Sequence, residues 1–206
     1  MFKDPILNEL AKKYGPHKFE NRTEFLYEEL IESIIGQQLS GKAADTIYNR
    51  FLDLYNKDGE HLKRNGKITK RFPKPKELIN TDIEKLRSAG MSYSKAQYIK
   101  NVAQAFLDGS IDIKRLEKMS DEEVIKELTK IKGVGKWTAE MILIFVMQRE
   151  DVFSIGDAGL RKAIKILYKL EKEKEILELV NTWSPNKSLA CWYLWKSLDN
   201  APIVSE

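Results

Sequence analysis

Leu128-Thr-Lys-Ile-Lys-Gly133-Val-Gly135-Lys-Trp137-Thr-Ala139 is the stretch that decides how this chain is read. It ends one helical pattern, turns through two glycines and begins another. Gly133 and Gly135 flank Val134, and glycine tolerates positive φ while leaving no side chain in the way of an approaching backbone. The amides of Val134, Gly135 and Lys136 would then face outward at a helix N-terminus. Unpaired N–H groups and the helix dipole favour a phosphate there. Lys132 and Lys136 add charge beside them. Such a contact grips a polyanion without reading a base. A Gly-x-Gly between helices also occurs as a plain tight turn; the surrounding Leu-x-x-Ile-x-Gly-Val-Gly-x-Trp-Thr-Ala frame makes the pattern specific.

Outward from this hairpin, helical periodicity dominates and little reads as strand. Thr23 can cap a helix whose apolar positions Leu26, Leu30, Ile31, Ile34 and Ile35 share one face. Gly36-Gln37-Gln38-Leu39-Ser40-Gly41 interrupts it, and Ser40 can cap the next helix, through Leu54. Residues 56–75 are polar, basic and rich in Gly, Asn and Pro, so they read mainly as a long connection. Helices follow at 75–79, 81–88 and 93–107, and Ser120-Asp-Glu-Glu123 reads as a capping box. The segment Trp137–Met147 is apolar nearly all round, as a helix through a core would be. Ser154-Ile-Gly-Asp157-Ala-Gly-Leu-Arg161 puts one carboxylate at the mouth of a helix running to Leu170. A last helix, 187–198, carries Trp192, Tyr193 and Trp195. The Lys/Glu-rich stretch 169–178 reads as a solvated face.

Composition limits the alternatives. The 206 residues carry 35 Lys/Arg against 31 Asp/Glu, a formal net charge of +4, which admits a nucleic-acid partner without demanding one. The single cysteine, Cys191, excludes an internal disulfide and any four-cysteine zinc or iron–sulfur site. The apolar run Met141–Met147 is too short to span a bilayer, and the opening residues do not read as a secretory signal. An intracellular protein of cytoplasm and nucleoid, or of a nucleus, is expected, with no membrane contact.

These motifs, in this order and spacing, strongly resemble the helix-hairpin-helix (HhH-GPD) DNA glycosylase superfamily, and within it the 3-methyladenine DNA glycosylase II (AlkA/Mag-like) branch. The resemblance runs from about residue 22 to 198. It includes Ile34-Ile-Gly-Gln-Gln-Leu-Ser40, Phe72-Pro-Lys-Pro-Lys-Glu-Leu78, Lys95-Ala-Gln-Tyr-Ile99, Gly133–Ala139, Gly156-Asp-Ala-Gly-Leu-Arg-Lys162 and Ala190-Cys-Trp-Tyr-Leu-Trp195. It implies an all-α fold of two helical subdomains flanking a cleft that binds DNA and the base. Residues 1–36 plus 158–206 would form one, and 37–157, with the helix-hairpin-helix at about 121–148, the other. It implies double-stranded DNA containing damaged bases as partner, with no obligate protein partner evident.

The resemblance also assigns roles. Asp157 matches the acid that sits in the base pocket. Cleaving an N-glycosidic bond builds positive charge on the sugar, and a carboxylate beside C1′ stabilises it and can orient or deprotonate water. A base made cationic by alkylation leaves readily, so one carboxylate suffices. Bifunctional relatives place a nucleophilic lysine where this chain has Trp137, so a monofunctional hydrolase is expected. Trp137 and Trp195 match the two tryptophans lining the pocket, with Met141 where some relatives use an aromatic. An indole face can stack on a flipped cationic purine. Gln38 falls at the position that wedges into the duplex, flanked by Gln37 and Leu39. Main-chain carbonyls of Thr129, Ile131 and Gly133 match those that hold a structural sodium or potassium ion; no cofactor is expected for catalysis. A glycosylase for a deaminated or oxidised base, or a hairpin protein that binds DNA without catalysis, remains open at this stage.

Overall fold

The computed structural model describes residues 2–56, 61–64 and 67–198, those of 61–69 by their backbone. Twelve α-helices and one two-stranded ribbon are found among the described residues. The chain divides into two compact units: Met1–Thr23 with Ala139–Glu206, and Glu24–Thr138. The boundaries expected at 36/37 and 157/158 are corrected at both junctions, because packing assigns the flanking segments otherwise.

In the central unit, α2 (Leu26–Gly36) lays its apolar face on α6 (Tyr93–Leu107) and on α3 (Gly41–Asp53). Leu26, Leu30, Ile31 and Ile34 of α2 are completely buried, as are Ala96, Ile99, Val102 and Ala103 of α6. Burying such side chains stabilises by about 1.5–3 kcal/mol each for Leu, Ile and Val, which is why α2 belongs here and not with the chain ends. Thr23 does not cap α2. It opens a short 3-10 turn, Thr23–Phe25, and its Oγ1 bonds Asn21 Oδ1 at 2.7 Å. Ser40 stands at the N-terminus of α3 with no side-chain capping bond. Within the connection at 56–75, β1 (His61–Arg64) pairs antiparallel with β2 (Lys67–Lys70). That pairing lies within the stretch expected to be mainly a long connection; residues 57–60 and 65–66 lie outside the described residues. Residues 61–76 hold seven of the 35 Lys/Arg and none of the 31 acids, so the remainder carries 28 against 31. Helices α4 (Pro75–Asn80), α5 (Ile83–Arg87), α7 (Ile113–Leu116) and α8 (Asp121–Leu128) complete this unit. The capping box of α8 forms as expected: Glu123 N–H donates to Ser120 Oγ and Ser120 N–H to Glu123 Oε2.

Helix α9 (Lys136–Met141) follows the hairpin and runs on into a π-helical turn, Ile142–Val146, with Ile142, Leu143, Ile144 and Val146 buried. In the unit of the chain ends, α12 (Lys187–Ser197) packs against α1 (Pro5–Tyr14) and α10 (Ala158–Tyr168). Ser188 ties the segment after α9 to α12: its Oγ accepts from Val152 N–H at 3.1 Å and its N–H donates to Glu150 O at 3.0 Å. The Lys/Glu-rich stretch is amphipathic, not wholly solvated. It forms α11 (Glu173–Asn181), which buries Ile176 and Val180.

Asp4 anchors the N-terminal helix. It caps α1 through Leu7 N–H (3.0 Å) and also accepts from Tyr168 Oη (3.0 Å) and Trp183 Nε1 (3.0 Å). Burial, followed by the Asp4 charge, pushes the Tyr168 hydroxyl well above its ordinary value. Asp4→Ala removes the cap and leaves two partly buried donors without this acceptor. Chemical denaturation of Asp4→Ala should show a loss of about 2–4 kcal/mol in unfolding free energy, whereas a pair of simple surface contacts would lose under about 1 kcal/mol.

Candidate functional site

The hairpin is held from three directions within the central unit. After α8 the chain tightens through Ile131 N–H to Leu128 O and Val134 N–H to Ile131 O, at 3.1 and 2.9 Å. Gly133 stands at φ +111°, and a Cβ there would come within 2.4 Å of the Tyr98 side chain. Backbone conformation and packing both exclude any other residue. Asn101 Nδ2 donates to Lys132 O at 3.0 Å, and Gln37 Nε2 donates to Gly133 O at 3.2 Å. Tyr98 and Asn101 are supports that the sequence pattern does not single out, and Gln37, expected only beside the wedge, is a third.

The expected anion cradle is corrected at one position. Val134 is buried and its amide is taken by Ile131, so it has no N–H to offer a phosphate. The outward-facing residues are Gly135 and Lys136, with exposed Lys132 beside them. Gly135 has open space where a Cβ would be, so nothing within the chain demands glycine there; it leaves room for a ligand's close approach. Among the carbonyls expected to hold a monovalent cation, Ile131 and Gly133 each already accept one hydrogen bond. Each carbonyl retains a second lone pair, which a cation can use.

The turn between α2 and α3 is bound to the same hairpin through Gln37. Its next residue, Gln38, is exposed and adopts φ +59°, a left-handed conformation that disfavours a residue with a Cβ by about 1–2 kcal/mol. Leu39 follows, also exposed. Lys95 clamps the turn from below. Its Nζ donates to Ile35 O at 2.8 Å and to Gln37 O at 2.6 Å, and burial depresses the ammonium below the ordinary lysine value. A strained, exposed tip on a rigid base is the geometry expected of a probe. Trp137, in the first turn of α9, is 42% exposed, unusual for an indole and distinct from the buried apolar residues that follow it.

In the other unit, Asp157 is the N-cap of α10. The residue is only 8% exposed, and Oδ1 accepts two N–H bonds: from Leu160 N at 2.7 Å and from Trp195 Nε1 at 3.0 Å. Burying a carboxylate is tolerable only with such donors. Trp195 is 2% exposed, so the indole expected as a pocket wall serves here to brace the acid through its N–H. Its ring meets Phe145, centroids 5.5 Å apart. Met141 is buried as well. Gly159 makes the bracing possible: a Cβ there would lie 3.1 Å from Asp157 Oδ1 and 3.2 Å from Trp195 Cδ1. Two further buried polar residues escape the sequence reading, Glu140 and Ser154, joined by a 2.5 Å bond from Ser154 Oγ to Glu140 Oε2. Trp192 is structural, stacked on His17 with centroids 4.0 Å apart. Among the described residues, no group of three His, Cys, Asp or Glu could hold a metal ion, and no helix is long and apolar enough to cross a membrane.

A glycine-turned hairpin between α8 and α9, followed by a buried acid capping a later helix, defines a helix-hairpin-helix base-excision protein. Residues 31–185 match the HhH-GPD superfamily of base excision DNA repair proteins, and the chain belongs to that family. Within it, the chain resembles the 3-methyladenine DNA glycosylase branch. DNA-3-methyladenine glycosylase 1 of Schizosaccharomyces pombe is 37% identical over 195 residues, spanning 93% of this chain and 80% of the relative. The alkylbase DNA glycosidase-like protein mag2 of the same yeast is 36% identical over 192 residues, 91% of this chain and 85% of mag2. The solved structure of S. pombe 3-methyladenine DNA glycosylase in complex with abasic DNA matches with a TM-score of 0.79 at 34% identity. That match covers 98% of this chain and 96% of the other.

The two hairpin glycines should respond differently to substitution. Urea titration should show Gly133→Ala destabilised by at least about 2 kcal/mol, from backbone strain and the Tyr98 clash, and Gly135→Ala within about 0.5 kcal/mol of the parent. Equal effects at both positions would contradict the packing described.

Proposed function

We infer that this chain is a monofunctional DNA glycosylase that flips alkylated bases of the 3-methyladenine type out of duplex DNA and hydrolyses their N-glycosidic bond, in base excision repair. The observation that carries this reading is the Asp157 carboxylate, buried at the N-terminus of α10 and held by the Leu160 amide and the Trp195 indole. As the bond to the base stretches, positive charge develops on the sugar, and a fixed carboxylate in a dry site stabilises it without reorganising. The base leaves with the bonding electrons and is neutral on departure if alkylation had made it cationic. Water then bonds to C1′ and yields its proton to Asp157. Trp137 stands where a lyase would need an amine. Its exposed indole can stack on a cationic base but cannot form a Schiff base, so the product is an abasic site in an intact strand.

DNA holding falls to the central unit. The hairpin at Gly135, Lys136 and Lys132 grips a phosphate, and the strained Gln38 tip, with Gln37 and Leu39, enters the duplex where the base has left. Carbonyls of Thr129, Ile131 and Gly133 would hold a sodium or potassium ion that braces the hairpin and supplies no chemistry to bond cleavage. The positive charge concentrated in residues 61–76 supplies long-range attraction to the polyanion.

Two measurements test this reading. Methylated duplex DNA incubated with the protein should release free methylated purine, with strand breaks appearing only after alkali or heat. Asp157→Asn should lower the single-turnover rate by about 10²–10⁴-fold. Direct nicking would overturn the assignment of Trp137, and release of only deaminated or oxidised bases would overturn the substrate class. Separately, the salt dependence of abasic-duplex affinity should flatten when Lys63, Arg64 and Lys67 are replaced by alanine. The slope of log affinity against log salt should fall by up to about 0.9 for each charge that had met a phosphate; an unchanged slope would exclude the ribbon from the interface.

A further inference from the structure

Neither Glu140 nor Ser154 has a part in the mechanism above, yet both are buried beside the acid, at 5% and 0% exposure. They lie in the same unit as Asp157, Glu140 on α9 and Ser154 in the loop that leads to α10. The chain of contacts is short. Ser154 Oγ donates to Glu140 Oε2 at 2.5 Å, and Asp157 N–H donates to Ser154 O at 3.1 Å. The second bond closes the turn Ser154-Ile155-Gly156-Asp157 that delivers the carboxylate. Packing does little to hold that turn in the middle, since Gly156 is exposed and has open space around its Cβ position. The first residue of the turn, Ser154, is held through its side chain by Glu140. Upstream, Val152 N–H is tied to Ser188 Oγ on α12, so the strip entering the turn is clamped at two successive points.

A carboxylate is a purposeful choice for this clamp. A hydroxyl donating to a charged oxygen makes a shorter bond, about twice as strong as one between neutral groups. The second carboxylate also shares its surroundings with the first. Burial, with the charges of Asp157 and Glu140 adding to it, pushes the Cys191 thiol well above its ordinary value. Misplacement of a reacting group by about 1 Å can reduce a rate by about 10²-fold, so a device that holds Asp157 steady belongs to catalysis as well as to folding.

We propose that Glu140 is a positioning residue for the catalytic carboxylate, acting through Ser154 to hold the turn that carries Asp157. The proposal rests on Asp157 being the reacting acid. The test compares Glu140→Gln, Ser154→Ala, the double variant and Asp157→Asn in single-turnover excision from methylated duplex DNA, with affinity for abasic duplex measured in parallel. Glu140→Gln and Ser154→Ala should each slow excision about 10- to 100-fold while abasic-DNA affinity changes less than about threefold. The double variant should be no slower than the slower single variant, because both break one linkage. Ser154→Ala, the smaller perturbation, carries the test alone if Glu140→Gln does not fold. Rates within twofold of the parent for both variants, with Asp157→Asn inactive, would overturn the proposal and leave the glycosylase reading standing. Parallel loss of rate and affinity would also overturn it, since that marks general structural damage. An Asp157→Asn variant as fast as the parent would remove the reading and the proposal together.

Discussion

The two N–H bonds received by Asp157 Oδ1 are the constraint on which the functional half of this structure depends. One comes from the backbone of the helix that Asp157 caps, so the acid is placed by the same bond that starts α10. The other comes from an indole on α12, so the acid is also tied to that helix. A carboxylate this buried would be costly without such donors. With them the carboxylate is held at two points, as the proposed stabilisation of a transient positive charge requires. Gly159 belongs to the same arrangement, because any side chain there would press on both the acid and the indole.

The central unit applies a similar rule to the backbone. Gly133 is locked by Tyr98, its carbonyl is held by Gln37, and the neighbouring carbonyl of Lys132 by Asn101. The Gln37 bond joins the hairpin to the turn carrying Gln38, and Lys95 fixes that turn from its other side. The hairpin and the turn carrying Gln38, proposed above to grip a phosphate and to enter the duplex, are therefore parts of one braced assembly. The strain stored at Gln38 is sustained by its surroundings, as expected where a conformation serves binding more than folding.

Net charge matters less to DNA binding here than its placement. Without residues 61–76 the chain would be slightly acidic. A glycosylase needs attraction to any stretch of duplex and selectivity only at the lesion. Gathering basic residues in one stretch of the chain serves the first need.

Much of this protein was legible from residue order alone. The helical class followed from apolar spacing in segments such as Leu26–Ile35, and the hairpin and the acid stood out because glycine pairs and helix-capping aspartates have strong local meanings. Local rules also erred in places. Thr23 and Ser40 are good capping types that do not cap through their side chains, and Val134 yields its amide to Ile131 instead of facing outward. The unit boundaries depended on which faces pack, as did the helix hidden in the Lys/Glu-rich stretch. The bracing of Asp157 by Trp195, 38 positions away, and of Gly133 by Gln37, 96 away, carries no periodic signature. The motifs that carry the family resemblance lie in residue types and short spacings; the bonds that hold them came only from side chains that folding brings together.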